Sequence, residues 1–179
     1  MKLEDKMIVA QSDVSLNINE DSAEVLEKER READNCIKNY VILAMGAGLL
    51  PSALVNVVVV TALEVKMIGS LAQVYEFPVP KKLMLYKILI SLIGSLGSVY
   101  VSVNSRLAFK GVPLLGHAVY VGMMSVSGAA AMYAVGKIFQ HHYESGGTFL
   151  SSDNSLLRAY FKEKYEEGKG RVPSFVNTK

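Results

Sequence analysis

The sequence predicts an all-α protein of about five helices, and three observations support this fold class. No stretch alternates apolar and polar residues between hairpin turns, as half-buried strands do. Five segments instead have helical length or periodicity, and glycine or proline separates most of them. The 179 residues are also enough for one continuous core. We therefore expect one helical domain over residues 21–168, between a flexible acidic tail at 1–20 and a flexible tail at 169–179.

The first two predicted helices lie on either side of a glycine- and proline-containing break. Helix A is expected to begin near Asp21, which forms a capping box with Glu24, and to end at the glycines before Pro51. Its apolar stripe consists of Leu26, Ala33, Ile37, Tyr40 and Ala44. Helix B follows, from near Ser52 to about Tyr75. Its valine run suits a strand, but the length without a turn signal favours a helix.

Three further helices complete the predicted fold. Prolines at positions 78 and 80 end helix B, and helix C is expected at about 81–109. A short connection leads to helix D at about 114–144, which the Gly146-Gly147 pair ends. Helix E begins at Asp153, a favourable N-cap, and is expected to run to about Glu167.

Long uncharged runs raise the question of a membrane. Residues 39–63, 88–105 and 111–136 contain no Asp, Glu, Lys or Arg. Because about 20 helical residues cross a bilayer, the last two runs predict an apolar antiparallel hairpin of helices C and D that spans or inserts in a membrane. The alternative is a hairpin buried in a soluble bundle. Glycine and proline interrupt the run 39–63, so whether it spans, re-enters or packs on the surface stays open.

Small residues recur along both helices of this hairpin. They allow close approach of two backbones, as in membrane helix pairs, so we expect a helix-packing seam. The seam residues are Ser91, Ser95, Ser98, Ser102, Gly122, Ser125, Ala129 and Gly136. The competing interpretation is that the serines form the polar outer face of a soluble helix.

The charge pattern gives an orientation. Residues 1–35 carry a net charge of −5 and residues 36–179 a net charge of +7, so an acidic head precedes a basic apolar body. Four lysines flank the base of the hairpin and two cations flank its tip, which favours a cytoplasmic base. Both termini would then be cytoplasmic, and Cys36, the single cysteine, fits a reducing compartment. A wholly cytoplasmic protein is the alternative.

Helix B carries three candidates for a polar contact, namely Asn56, Glu64 and Lys66. The two charged residues lie two positions apart and do not pair on one helix. A charge in hydrocarbon costs about 2.5–3.5 kcal/mol, so both are interpreted as marking where helix B leaves the apolar layer. There are two alternatives for Glu64. It could contact a lysine of another helix, or it could take part in a proton relay.

The usual signatures of catalysis and of cofactor binding are missing. The sequence has no P-loop, and a GxxG in helix C follows no strand. His141 and His142 are adjacent and diverge on a helix, so we expect a polar helix end and no metal site. No paired carboxylates or nucleophile triad stand out, and no dense basic face predicts nucleic-acid binding. We expect no enzyme, no cofactor and no nucleic-acid partner.

Four segments form a recognisable pattern, namely Gly48–Pro51, Thr61–Ile68, Leu71–Tyr75 and Tyr133–Lys137. Together they resemble a bacterial family, the YcjF-like proteins, catalogued as domain of unknown function 697. The resemblance covers about residues 36–168, and the family pattern is altered at Ala53, Asn56, Glu64 and Glu76. Glu64 stands where glutamine is usual. The resemblance implies a hydrophobic helical module, often membrane-embedded, with P-loop GTPases as an expected partner type.

These observations lead to one main functional hypothesis. We expect a non-enzymatic module at the bacterial inner membrane that binds lipid and anchors or regulates a cytoplasmic partner, with a GTPase as the implied type. A soluble helical adaptor or homo-oligomer subunit is one alternative. A small transporter or pore component, with the serine stripe lining a path, is the other.

Overall fold

The structure is a computed structural model that describes residues 3–47, 53–79, 81, 85, 113–151 and 153–176. These residues form four α-helices, a single 3-10 turn at Phe149–Ser151 and no strand, which confirms the all-α prediction. The helices are α1 at Leu3–Ala47, α2 at Ala53–Val74, α3 at Pro113–Glu144 and α4 at Asn154–Val176. Apart from Lys81 and Leu85, the predicted helix C lies outside the described residues, so the count of five helices is not confirmed.

The membrane-spanning hairpin is not confirmed either. Of the helices that the structure describes, none combines the length and the hydropathy that a bilayer crossing requires. Helix D of the sequence prediction corresponds to α3, whereas its predicted partner falls on residues that are not described.

Helix α1 is longer than the sequence predicted. It begins at Leu3 and not near Asp21, and it continues for 45 residues to Ala47. The physical reason lies in the sequence, because no glycine or proline occurs before Gly46. The acidic residues before Asp21 had suggested an irregular tail, yet nothing there breaks a helix. The predicted end at the glycines near Ala47 is confirmed.

Helix α4 also extends beyond its predicted end, from about Glu167 to Val176. Gly168, Gly170 and Pro173 had suggested a loose tail, but Val172 is fully buried. Ion pairs one turn apart add support, such as that between Lys169 and Glu166. Burial of the inner face therefore outweighs the low helix propensity of glycine and proline.

The helices pack as an antiparallel bundle. Helices α1 and α3 run in opposite directions, since Arg30 lies beside Glu144 whereas Met45 lies beside Ser125. Helix α4 runs opposite to α3, with contacts between Tyr160 and His141 and between Glu167 and Tyr133.

Helix α2 completes the arrangement. The hydroxyl groups of Tyr40 on α1 and Ser70 on α2 share a hydrogen bond of 3.2 Å. After the end of α2, Tyr75 reaches Glu144 at the end of α3. Helices α2 and α3 therefore run in the same direction, both opposite to α1. Buried side chains of all four helices form one hydrophobic cluster between them.

Candidate functional site

Among the described residues, one end of the bundle is without charge, and this is the first candidate functional surface. No Asp, Glu, Lys or Arg occurs in residues 39–47 of α1, 53–63 of α2 or 113–136 of α3, and we call these three ranges the uncharged half. Ile42, Leu43 and Val58 in this half are 39%, 55% and 69% exposed. Most of the described charges lie instead on α1 before Asn39, on α3 after Gly136 and along α4, while Glu64 and Lys66 follow the uncharged range of α2. Charge is therefore concentrated towards one end of the bundle.

The charged half contains a cleft of about 300 Å³ between α1, α3 and α4. Arg30 holds Glu144 through two bonds, from Nε to Oε1 at 3.0 Å and from Nη2 to Oε2 at 3.2 Å. The hydroxyl of Tyr75 donates to the same Oε1 at 3.1 Å. Glu144 thus joins the segment after α2 to α1 and α3.

Further ion pairs line the cleft. Lys137 Nζ lies 2.6 Å from Asp34 Oδ1, which connects α3 to α1. Glu167 of α4 accepts from Tyr133 at 2.7 Å and pairs with Lys164 and Arg171 at 2.9 and 3.0 Å. Partial burial acts to raise the pKa of Glu167, but these partners hold it below its ordinary value. Because the pairs are partly exposed, each contributes at most about 1 kcal/mol and mainly orients the helices.

The two histidines make structural contacts at the end of α3. The His141 ring stacks on Tyr160 at a centroid distance of 5.5 Å and meets the edge of Phe149 at 4.5 Å. Nδ1 of His142 accepts a hydrogen bond from the Leu150 backbone N–H at 3.2 Å. Burial lowers the pKa of His142, which favours the neutral acceptor. Among the described side chains, no group of three or more His, Cys, Asp or Glu is arranged to hold a metal ion.

Glu64 is the second candidate feature, and its position differs from the sequence interpretation. Its side chain is fully buried, so it does not mark a polar boundary on α2. Neither carboxylate oxygen has a hydrogen-bond partner within the described part of the chain. Burial raises the pKa of this carboxyl from 4.5 to about 8. Lys66 is exposed, and Asn56 lies in α2 with a side chain outside the described set.

The predicted seam is described only on α3. Ser125 is buried, and its hydroxyl donates to the backbone oxygen of Met45 at 2.7 Å. A methyl group on Gly136 would lie 2.8 Å from Cγ1 of Ile37. Ala129 belongs to the hydrophobic cluster. Gly122 lies in the first half of α3, and Ser91, Ser95, Ser98 and Ser102 fall outside the described residues. The described contacts are with α1, whereas packing against helix C stays a prediction.

Sequence reasoning missed the ion-pair cleft and the burial of Glu64. The cleft joins residues more than 100 positions apart, such as Lys137 and Asp34. The available signal for Glu64 was its spacing from Met67, Ile68 and Leu71, which places all four on one helix face. That apolar face indicates burial more strongly than an isolated charge indicates exposure.

The fold and these surfaces define a class of all-α module with a charge-segregated bundle, and comparison with known proteins places it more closely. Residues 17–169 match the family described as Domain of unknown function (DUF697), and the chain belongs to this family. The resemblance drawn from the segment Thr61–Ile68 is thereby confirmed.

One curated relative extends this placement. Over 142 residues the chain is 32% identical to "Magnetosome membrane protein 22" of Magnetospirillum gryphiswaldense (strain DSM 6361 / JCM 21280 / NBRC 15271 / MSR-1). The alignment covers 76% of this chain and 70% of that protein. No solved structure matches the chain significantly.

Proposed function

We propose that this protein is a non-enzymatic, membrane-associated helical module that anchors or regulates a cytoplasmic protein partner. The observation that carries the proposal is the uncharged half, in which three helices share a stretch without any Asp, Glu, Lys or Arg. Exposed apolar side chains in that half, such as Leu43 and Val58, are costly in water and favourable against lipid. The name of the relative, a magnetosome membrane protein, supports the same location.

The uncharged half is the part of the module that meets the membrane in this proposal. The hairpin of residues 88–105 and 113–136 inserts, and helices α1 and α2 bring their uncharged ends to the lipid. Lysines at the hairpin base favour the cytoplasmic side of a bacterial inner membrane for both termini. The charged half, with its cleft of ion pairs, then projects into the cytoplasm.

The charged half is the surface that a protein partner would contact. Helix α4 and residues 22–34 of α1 carry many exposed charged side chains, which suit a water-facing protein interface. The family resemblance favours a P-loop GTPase as the partner type. Self-association into a homo-oligomer is an alternative use of the same surface.

Membrane fractionation followed by affinity capture tests the proposal. We expect the full chain to stay in the membrane pellet after an alkaline carbonate wash, while a peripheral marker is released and an integral marker is retained. The full chain is then captured from detergent extracts, with and without a non-hydrolysable GTP analogue. We expect a GTPase to be captured together with it. Release of the chain by carbonate would contradict membrane insertion and favour the soluble adaptor. If the chain stays in the pellet but no GTPase is captured, the GTPase is refuted as the partner type and the membrane association stands.

A further inference from the structure

Glu64 lies on the inner face of α2. It shares this face with Met67, Ile68 and Leu71, three, four and seven positions further along, and all four side chains are fully buried. The hydrogen bond between Tyr40 and Ser70 sets the register of α1 and α2. Six residues before Ser70, at about 1.5 Å per residue, Glu64 is level with the last turns of α1. The carboxyl is therefore enclosed between helices and is not at a helix end.

No described charge faces this carboxyl from the helices packed on α2. On α1 beyond Lys38, Tyr40 is the titratable residue, and its hydroxyl contacts Ser70. On α3 between Ser125 and Gly136, Tyr133 is the titratable residue, and its hydroxyl donates to Glu167. Earlier in the sequence of α3, the titratable residues are Tyr120 and His117.

The lysines nearest to the level of Glu64 on these helices are exposed or contact other groups. Lys66 is exposed on the other side of α2, and Lys137 is paired with Asp34. Lys38, the residue immediately before the uncharged part of α1, lies over the Phe175 ring. The two oxygens of Glu64 thus lack both a hydrogen-bond donor and a counter-charge in the described bundle.

We propose that Glu64 is a proton-binding site, and that proton occupancy couples to the docking of α2 against α1 and α3. A neutral carboxyl can stay enclosed at modest cost, whereas a carboxylate without partners cannot. Loss of the proton therefore favours a state in which α2 moves away and the carboxylate reaches water. The proposal does not require membrane insertion, and it would make the packing of α2 sensitive to pH in the range from 4.5 to about 8.

The pH dependence follows from the raised pKa of about 8. Below the ordinary value of 4.5, the carboxyl is protonated in folded and unfolded chains alike, and the docked state keeps its full stability. As pH rises from 4.5 to about 8, the unfolded chain ionises while the docked state retains its proton, so stability falls. Above about 8, the docked state also ionises, so its stability relative to the open and unfolded states stops falling and levels off.

Cys36 provides a built-in reporter of this opening. This single cysteine lies half-buried on α1, near Ser70 of α2, and burial raises the pKa of its thiol. Its thiol becomes accessible when α2 moves away. Labelling of the full chain by a small maleimide, in its native detergent or lipid, is measured between pH 6 and 9 for the wild type and for Glu64→Gln. The thiolate fraction of Cys36 changes with pH in the same way in both proteins. This effect therefore cancels in the ratio of the two labelling rates.

We expect the labelling rate of the wild type, divided by that of Glu64→Gln, to rise between pH 6 and about 8, by up to about tenfold per pH unit, and to level off above about 8. Glu76→Gln, which alters an exposed carboxyl just after α2, is the matched control and should follow the wild type. Equal rates for wild type and Glu64→Gln at every pH would overturn the proposal. Glu64→Met, a neutral side chain of similar size, is the second variant. Failure of both variants to fold would also count against it, since a site that holds a neutral carboxyl should accept them.

Discussion

At Gly136, helices α1 and α3 approach so closely that a single methyl group has no room. A Cβ there would lie 2.8 and 3.0 Å from the two γ-carbons of Ile37, which is itself buried in the core. Contacts this short force either the Ile37 side chain or one of the two helices to shift. Gly128 lies eight residues earlier on the same helix, and a Cβ there meets nothing within 4 Å. The two glycines therefore separate the effect of close packing from that of helix propensity.

We expect Gly136→Ala to lower the free energy of unfolding by about 1–2 kcal/mol, because overpacking costs more than the roughly 1 kcal/mol gained in helix propensity. Chemical denaturation in detergent measures the change. Gly128→Ala should instead be neutral or stabilising by up to about 1 kcal/mol. Combining Gly136→Ala with Ile37→Ala, which removes both γ-carbons, should cost less than the sum of the two single substitutions. A stabilising Gly136→Ala would show that α1 and α3 do not approach as described.

Among the helices, α4 shows how burial can extend an element beyond its sequence signals. Its last turns contain Gly168, where a Cβ would come within 3.1 Å of the Ala130 backbone on α3. They also contain Val172, fully buried, and Phe175, whose ring centroid lies 6.3 Å from that of Tyr133. These contacts attach the C-terminal part of α4 to α3. The segment is therefore part of the core and not an appendage.

We predict that Val172→Ala destabilises the protein by about 2 kcal/mol, through lost burial and the small cavity left behind. Thermal or chemical unfolding measures this loss. Pro173→Ala is the matched control at the next, exposed position, and should be neutral or stabilising because proline disfavours a helix. Were α4 to end near Glu167, as the sequence predicted, both substitutions would leave the stability unchanged.

Helix boundaries set by local chemistry could be predicted from sequence. Gly146 and Gly147 follow α3 with positive φ values of 67° and 82°, the conformation expected after a helix end. Oδ1 of Asp153 accepts the Ser155 backbone N–H at 3.1 Å, as an N-cap does. The buried stripe of α1 was predicted correctly at Ala33, Ile37 and Ala44, whereas Leu26 of the same predicted stripe is 57% exposed.

Features that depend on a second helix could not be predicted in the same way. Periodicity identifies the residues that share a face, but it does not say which helix covers that face. The contact of Gly136 with Ile37, and the pair of Arg30 with Glu144, therefore became apparent in the structure alone. Glu64 is the sharpest example, since its charge suggested solvent while its neighbours on the helix suggested burial.

The distribution of charge along the bundle distinguishes its two ends. Leu43 belongs to the uncharged half, whereas Leu156 begins α4 at the opposite end, and both are 55% exposed. Equal exposure means that a charge at either position has a similar effect on folding. In the proposed orientation, Leu43 would contact lipid and Leu156 would not.

We expect Leu43→Glu to weaken binding of the purified protein to phospholipid vesicles by about tenfold or more, because a carboxylate at the lipid contact costs over 1 kcal/mol. Leu156→Glu should bind as the wild type does. Vesicle co-sedimentation measures both, and circular dichroism checks that both remain folded. A similar loss in the two variants would refute the assignment of the uncharged half to the membrane.

Helix α1 continues from Arg30 to Leu3, about 40 Å beyond the level at which α3 ends. Residues 22–28 of this extension are all exposed. With the opposite end of the bundle fixed at a bilayer, the extension is a stiff helix. Its length sets the distance from the bilayer of any partner bound near its N-terminus. A molecule tethered in this way explores a thin layer parallel to the lipid, so its effective concentration there is governed by the length of a single helix.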